Sequence, residues 1–372
     1  MKNPIVEQQK FDFVDALRGY AIVGVLLIHV SQYCTGLSDI FLILSGSGRY
    51  GVQLFFIASA FTLSLSHNNR RRAEERPITN FFIRRFFRIA PLYYMGLIIY
   101  FVLRGLYKHA WPPPQYDLPM VLSNIFFVHG LHPTTINYAV PGGWSIGTEF
   151  IFYMFFPFLI SKITSIRKAV IFLFLSIGLA VVFYYIWALI YKENCDLNGF
   201  RYYTITNNLP SFMLGILLYH LWNNKESIME MFKLKAKVFS MILLLLCCIM
   251  FIIGLTVTDF YLSLIASPLI MGFAFLFFSL SLSLYKTVIV NKPICYIGKI
   301  SFSLYIMHFI FAWYVVPKIM KTLSLNINGN ILFIISVLLT LGLAVLVSSI
   351  TYKYIEERGM KVGKDLIKRI NS

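Results

Sequence analysis

The sequence predicts an all-α fold: a polytopic integral-membrane helical bundle of about ten transmembrane helices, with N- and C-termini cytoplasmic. Three observations carry this. The composition is 58% hydrophobic and only 13% charged, with a mean hydropathy of +0.72, whereas soluble domains are about a quarter charged. Unbroken apolar runs long enough to cross about 30 Å of hydrocarbon recur throughout the 372 residues, where a membrane barrel would show short alternating strands. The cations also segregate. With the N-terminus inside, only seven of the 33 Lys and Arg fall outside: Arg49, Arg104, Lys108, Lys192, Arg201, Lys318 and Lys321. That asymmetry orients membrane proteins and accounts for most of the net charge of +17 without nucleic acid.

The elements follow in order. A polar cytoplasmic segment, 1–12, precedes the first span, 13–33. The second, 50–66, is short and requires neighbours or local bilayer thinning. The third, 89–109, follows an arginine-rich inner segment. The outer loop 110–143 is the longest; its WPPPQYDLP and HPTTINYAVPGG stretches exclude regular helix over much of it, and it is expected to fold over the outer mouth. Spans at 144–161, 169–191, 204–222, 238–257 and 262–285 follow, with a small basic connector at 223–237. The last two spans are 300–320 and 329–352, and 353–372 reads as a short amphipathic cytoplasmic tail lying on the surface. No internal repeat or attached soluble domain is visible, so 1–372 reads as one membrane domain. Arg18 and His29 interrupt the first apolar run and no small-residue cleavage site follows, which argues against a cleaved signal peptide. The cysteines, Cys34, Cys195, Cys247, Cys248 and Cys295, are odd in number and scattered, which suggests neither a disulfide framework nor a zinc site; a bond between Cys34 and Cys195, both outside, is open.

Charged groups in a bilayer need a partner, a water-filled cavity or a function. The first span carries Asp15, Arg18 and His29. Arg18 and His29 are eleven residues apart, within roughly 20° of three full turns, so they share a face about 16 Å apart. Asp15 lies one turn before Arg18. A carboxylate and a guanidinium near one membrane surface thus share a helix with a deep imidazole; polar glue between helices is the alternative. In HNNRRRAEERPITNFFIRRFFRIAPLYY, residues 67–94, Arg70, Arg71 and Arg72 form a stop-transfer cluster. Arg84, Arg85 and Arg88 are instead embedded among Phe81, Phe82, Phe86 and Phe87, and Arg85 and Arg88 share a face. Arginine forks bind phosphate oxygens and aromatic rings stack on a base, which suits a phosphorylated nucleotide such as coenzyme A; anionic lipid headgroups suit it equally.

GGWSIGTEFIFY, residues 142–153, opens the fourth span. Trp144 suits an interface anchor, and Glu149 lies more than a turn inside, where it pairs with Arg18 or His29 across the bundle, either as glue or as part of a site. In SFSLYIMHFIF, residues 301–311, Ser301, Tyr305 and His308 line one face. Tyr352, Tyr354 and Glu356 close the last span at the cytoplasmic edge. His109, His129 and His132 read as solvated, and Asp259 as part of a tight outer turn. No GxSxG elbow, P-loop, HExxH or CxxC pattern is present, so no metal is expected.

At these residues the sequence resembles the acyltransferase-3 family of membrane-bound acyltransferases. Arg18 and His29 match its first-helix arginine–histidine signature, GVQLFFIASAF (51–61) looks like its second-helix motif, and Arg85 and Arg88, followed by Ile89 and Pro91, match its RxxR motif. Trp144, Ser145 and Glu149 match its WS…E motif, and Ser303, Tyr305 and His308 its motif near the ninth helix. Ala60 stands where the family often has Gly, and Ile355, Glu356, Glu357, Arg358 replace its usual Ile-Glu-x-Pro close. Many relatives carry a soluble hydrolase-like C-terminal domain; this sequence stops at its tail, which implies a membrane domain acting alone or passing its acyl group to a separate partner.

The resemblance implies an O-acetyltransferase in the inner or plasma membrane. Its donor is acetyl-CoA (or another acyl-CoA such as succinyl-CoA), and its acceptor a hydroxyl of a surface or envelope polysaccharide: O-antigen, capsule or exopolysaccharide. On residue chemistry, Arg84, Arg85 and Arg88 hold the donor phosphates, and His29 is the general base. Glu149 or Asp15 orients it or balances charge, Arg18 is an alternative donor-binding group, and Trp144, Ser145, Tyr305 and His308 line the substrate, the last two as oxyanion candidates. A transporter of a lipid-linked sugar or small anion is the alternative; it predicts broken helices in repeats, and no repeat is found. A regulatory, lipid-sensing membrane protein is the third reading, against which the intact polar stripes argue.

Overall fold

Ten long helices stand where the apolar runs lie: α1 Pro4–Ser31, α2 Asp39–Arg70, α3 Pro77–Lys108, α4 Gly143–Lys162, α5 Ile166–Ile190, α6 Ile205–Asn223, α7 Ala236–Thr256, α8 Ala266–Leu284, α9 Ser301–Thr322 and α10 Gly329–Ile370. This computed structural model describes all residues except 1–3, 72–73, 114–115, 192–196, 257–264, 286, 324–326 and 372, and the side chains of 4–11, 197–198 and 323. Arg72, Lys192, Cys195 and Asp259 therefore lie outside the described residues, and so does any Cys34–Cys195 bond. No strand occurs among the described residues.

Nine of these described helices, rather than ten, are long and apolar enough to cross a membrane. The tenth, α6, is a helix as expected, but Asn207, Asn208, Ser211, His220 and Asn223 lower its hydropathy. It tolerates them because α2, α5 and α8 pack around it, so neighbouring helices replace lipid on most of its faces. The short second span is resolved by length: α2 begins at Asp39 and runs through a 3₁₀ turn at Gly48–Tyr50.

Lipid tails are as apolar as Leu, so close packing rather than the hydrophobic effect holds such helices together. Two devices recur. Rings stack between α2, α4 and α6, with Phe212 sandwiched 4.4 Å from Phe56 and 4.0 Å from Phe152. Glycines also let backbones touch. The short helix Lys292–Lys299 lies on α1, where a Cβ at Gly298 would sit 1.7 Å from the Asp15 carbonyl oxygen.

The tail differs from the expected surface segment. α10 continues through a π-helical turn at Tyr352–Glu356 and on to Ile370, and this extension packs on α3. Pro91 lacks the N–H that would bond the Phe87 carbonyl. That carbonyl instead faces Gly359, where a Cβ would lie 2.6 Å away. Asp15 of α1 and Glu356, where the extension of α10 begins, both interact with Arg88 of α3, so these parts of the three helices lie together.

Loop 110–142 covers the opposite end. Its short α-helix, Leu118–Ile125, is capped by Asp117, which accepts from the Met120 N–H at 2.9 Å. His129 corrects the solvated reading: it is 1% exposed. Its Nε2 lies 2.9 Å from the Gly143 carbonyl oxygen at the head of α4, and the ring stacks on Tyr93. Burial pushes this imidazole down to about 4, against the pull of its backbone hydrogen bonds.

Candidate active site

A cavity of about 80 Å³ lies among α1, α2, α3, α4 and α9. Arg18, Arg85 and Arg88 line it, opposite Ser59, Ser145, Glu149, Tyr153, Ser301 and Tyr305. Helical spacing assembles this set: Arg85 and Arg88 are three apart, Glu149 and Tyr153 four, Ser301 and Tyr305 four, so each pair shares a face.

Glu149 Oε1 accepts the Tyr153 hydroxyl at 2.6 Å and the Ser59 hydroxyl. The pairing the sequence left open thus goes to hydroxyls, while the carboxylate interacts electrostatically with all three arginines across the cavity. The arginines are sparsely partnered. Arg18 Nη2 donates to Thr62 Oγ1 at 3.2 Å. Arg85 lies over the Phe81 and Tyr153 rings, 5.8 and 5.9 Å from their centroids, and its enclosed Nε has no partner. Among the described residues none of the three forms an ion pair. Enclosed guanidinium groups are costly, and here the nearby carboxylates act on them through space rather than by direct contact.

Asp15 interacts with Arg18 and Arg88 from the α1 side. Glu356 does so from behind Arg88; it is 1% exposed and its Oε2 accepts the Ser303 hydroxyl at 3.0 Å. Sequence reading placed Glu356 at a helix edge. The π-helical turn is what rotates it inward, and a regular 3.6-residue period carries no sign of that turn. Arg84 points elsewhere. It donates to the Glu74 carboxylate at 2.8 and 3.1 Å. Burial raises Glu74, but its Arg84 and Asn80 hydrogen bonds outweigh this and hold it below the ordinary carboxylate range.

Trp144 is buried rather than a lipid-interface anchor, stacking on Tyr203 at 4.7 Å. Ser145 Oγ donates to the Tyr305 hydroxyl at 2.9 Å, and Tyr305 donates to the Gly142 carbonyl at 2.9 Å. The lining ends there. His29 and His308 do not line the cavity; they sit beyond Tyr305, whose ring centroid is 5.9 Å from that of His308. The two imidazole centroids are 5.3 Å apart, and Phe309 lies 4.4 Å from His29. Each Nδ1 faces carbonyls of its own helix: His29 faces Val25 at 2.7 Å, and His308 faces Tyr305 at 2.9 Å. A carbonyl accepts only, so Nδ1 carries the proton and both Nε2 lone pairs are left free. On the far side a cavity of about 230 Å³, lined by Val30, Tyr33, Cys34 and Ala312 among others, opens at the end opposite the arginines. No group of three or more potential metal ligands occurs among the described residues.

Comparison with known proteins gives this geometry a context. The chain is similar to the O-acetyltransferase OatA of Staphylococcus aureus strain NCTC 8325, with 25% identity over 389 residues, covering 94% of this chain and 57% of that protein. The OatA of strain MRSA252 matches with the same figures. This chain therefore spans little more than half the length of these curated relatives. No solved structure matches. Residues 11–351 match Acyl_transf_3, an acyltransferase domain; with an all-helical multi-pass membrane fold around an arginine-lined cavity, the chain belongs to that family of acyltransferases.

Proposed function

We propose that this protein is an integral-membrane O-acetyltransferase that moves an acetyl group from acetyl-CoA to a sugar hydroxyl on a surface or envelope polysaccharide. The observation that carries this reading is the three sparsely partnered guanidinium groups enclosed by spanning helices of an acyltransferase-family chain. Arg85 and Arg88 bind the donor phosphates, with Arg18 neutralising further charge. Asp15 and Glu356 hold Arg18 and Arg88 in place, and Glu149, fixed by Ser59 and Tyr153, keeps the interior balanced when no donor is bound. The arginine-bearing end of the bundle is the cytoplasmic one, where acetyl-CoA is available.

The thioester passes Tyr305 to reach His29, which requires the Tyr305 and Phe309 rings to turn aside. His29 Nε2 takes the proton of the acceptor hydroxyl, whose oxygen attacks the thioester carbon. The C–S bond breaks, and the CoA thiolate leaves and is protonated. Tyr305, once its hydroxyl leaves the Gly142 carbonyl, is the oxyanion donor; His308, whose Nδ1 proton is held by a backbone carbonyl and whose Nε2 is a lone pair, lines the substrate instead, and the acceptor enters from the cavity beside Val30 and Ala312.

Purified protein in membranes, given labelled acetyl-CoA and an acceptor glycan, releases free CoA and labels the glycan. His29→Ala abolishes transfer while expression and membrane insertion stay normal. Wild-type-like acetylation in that variant removes His29 from the mechanism. Solute accumulation without CoA release replaces the whole reading with transport.

A further inference from the structure

A second, larger cavity of about 600 Å³ lies at the arginine-bearing end of the bundle, where α2, α4, α5 and α6 finish or begin. It shares no lining residue with the site above. Its charged lining is all of one sign: Arg71 and Arg167 face it beside the His67 and His220 rings, and no carboxylate does. Neither arginine forms an ion pair among the described residues. His220 is 8% exposed, and its Nε2 is 3.1 Å from the Ile163 carbonyl oxygen. The first turn of α5, capped by Ser165, adds backbone N–H groups, which favour an anion at a helix start. Ile160, Ile163 and Ile166 form an apolar wall beside these polar groups. A volume of this order accommodates a small ligand rather than a lone ion.

We propose that this cavity is a binding site for a phosphate ester, held by Arg71 and Arg167 beside the first turn of α5. Two arginine forks match phosphate oxygens, and the isoleucine wall favours a phosphate that carries an apolar tail, the headgroup of an anionic phospholipid, over a soluble one. Basic clefts between spanning helices at a membrane surface recognise such headgroups. The site is independent of acyl transfer, since no residue of the arginine-lined cavity takes part.

The test uses full-length protein in nanodiscs of phosphatidylcholine mixed with phosphatidylglycerol, with retained lipid counted by native mass spectrometry. The wild type retains phosphatidylglycerol preferentially. The double variant Arg71→Gln, Arg167→Gln loses that preference on the order of tenfold, while Arg70→Gln, outside the cavity, keeps it. A parallel arm titrates inorganic phosphate into protein in pure phosphatidylcholine discs. Phosphate binding lost in the double variant, with no lipid preference, keeps the phosphate site and assigns it a soluble ligand. Should the double variant fail to fold, the wild type alone decides: phosphatidylglycerol or phosphate raises its melting temperature over phosphatidylcholine alone. No shift in the wild type, or equal retention by wild type and double variant in both arms, overturns the proposal.

Discussion

Arg85 and Arg88 illustrate how much a single side chain's surroundings decide. Both were legible in the sequence, because arginines three apart between phenylalanines can only share one face of a helix. Their lack of a direct ion pair among the described residues was not, since that depends on which helices meet them. The same holds for Arg84, whose neighbour in sequence is Arg85 but whose partner is Glu74, ten residues back. A bidentate fork is not reproduced by an ammonium. Arg85→Lys or Arg88→Lys is therefore expected to raise the KM for the acyl donor by about 10- to 100-fold, the cost of one charge-assisted hydrogen bond, with kcat less affected; steady-state CoA release measures this. His129 shows the opposite case, a polar residue in a Pro- and Gly-rich loop that reads as solvated yet is buried. Its neutral ring takes up no proton until about pH 4, whereas a ring released from its pocket does so below about 6.5. Docking of the outer loop is thus unaffected above about pH 6.5 and weakens as pH falls from there towards 4, by about 3 kcal/mol across the window. Hydrogen exchange of residues 118–142, corrected for intrinsic rate, reads this out, and His129→Gln removes the pH step.

At the scale of the element, the apolar runs located every long helix to within a few residues at its core, because hydrocarbon thickness sets a minimum length. Ends were less legible. α2 starts earlier through its 3₁₀ turn, α3 starts at Pro77 rather than 89, and α10 outlasts its apolar run. Outside the hydrocarbon, contact with other helices replaces hydropathy as the determinant, and single-sequence periodicity does not record those contacts. Gly298 is one such contact. Gly298→Ala drives a methyl group into the Asp15 backbone, where only separation of the helices relieves it. The expected loss is about 1–3 kcal/mol or more, seen as a lower melting temperature in detergent. Arg88 depends on the same junction through Asp15, so donor affinity falls as well.

For the whole molecule, the distribution of 33 cations predicts an even number of crossings with both termini in the cytoplasm. Tags placed at either terminus are accordingly expected to be accessible only from the cytoplasm, while a reporter in loop 110–142 is accessible only from outside; protease protection in oriented vesicles checks both. The polar stripes of α1, α3, α4 and α9 were each visible in sequence. Their convergence on one cavity was not, nor was the separation of His29 from it by Tyr305, because both follow from how helices distant in sequence are seated. That seating also has a consequence for biogenesis. The cavity takes its first guanidinium from residue 18 and its last lining group from residue 305, with Glu356 behind Arg88. A chain emerging from the ribosome N-terminus first therefore inserts Arg88 long before Glu356, the carboxylate that acts on it most strongly, has been made. Until the closing helix arrives, such a nascent chain presents the cell's membrane quality control with its least settled face.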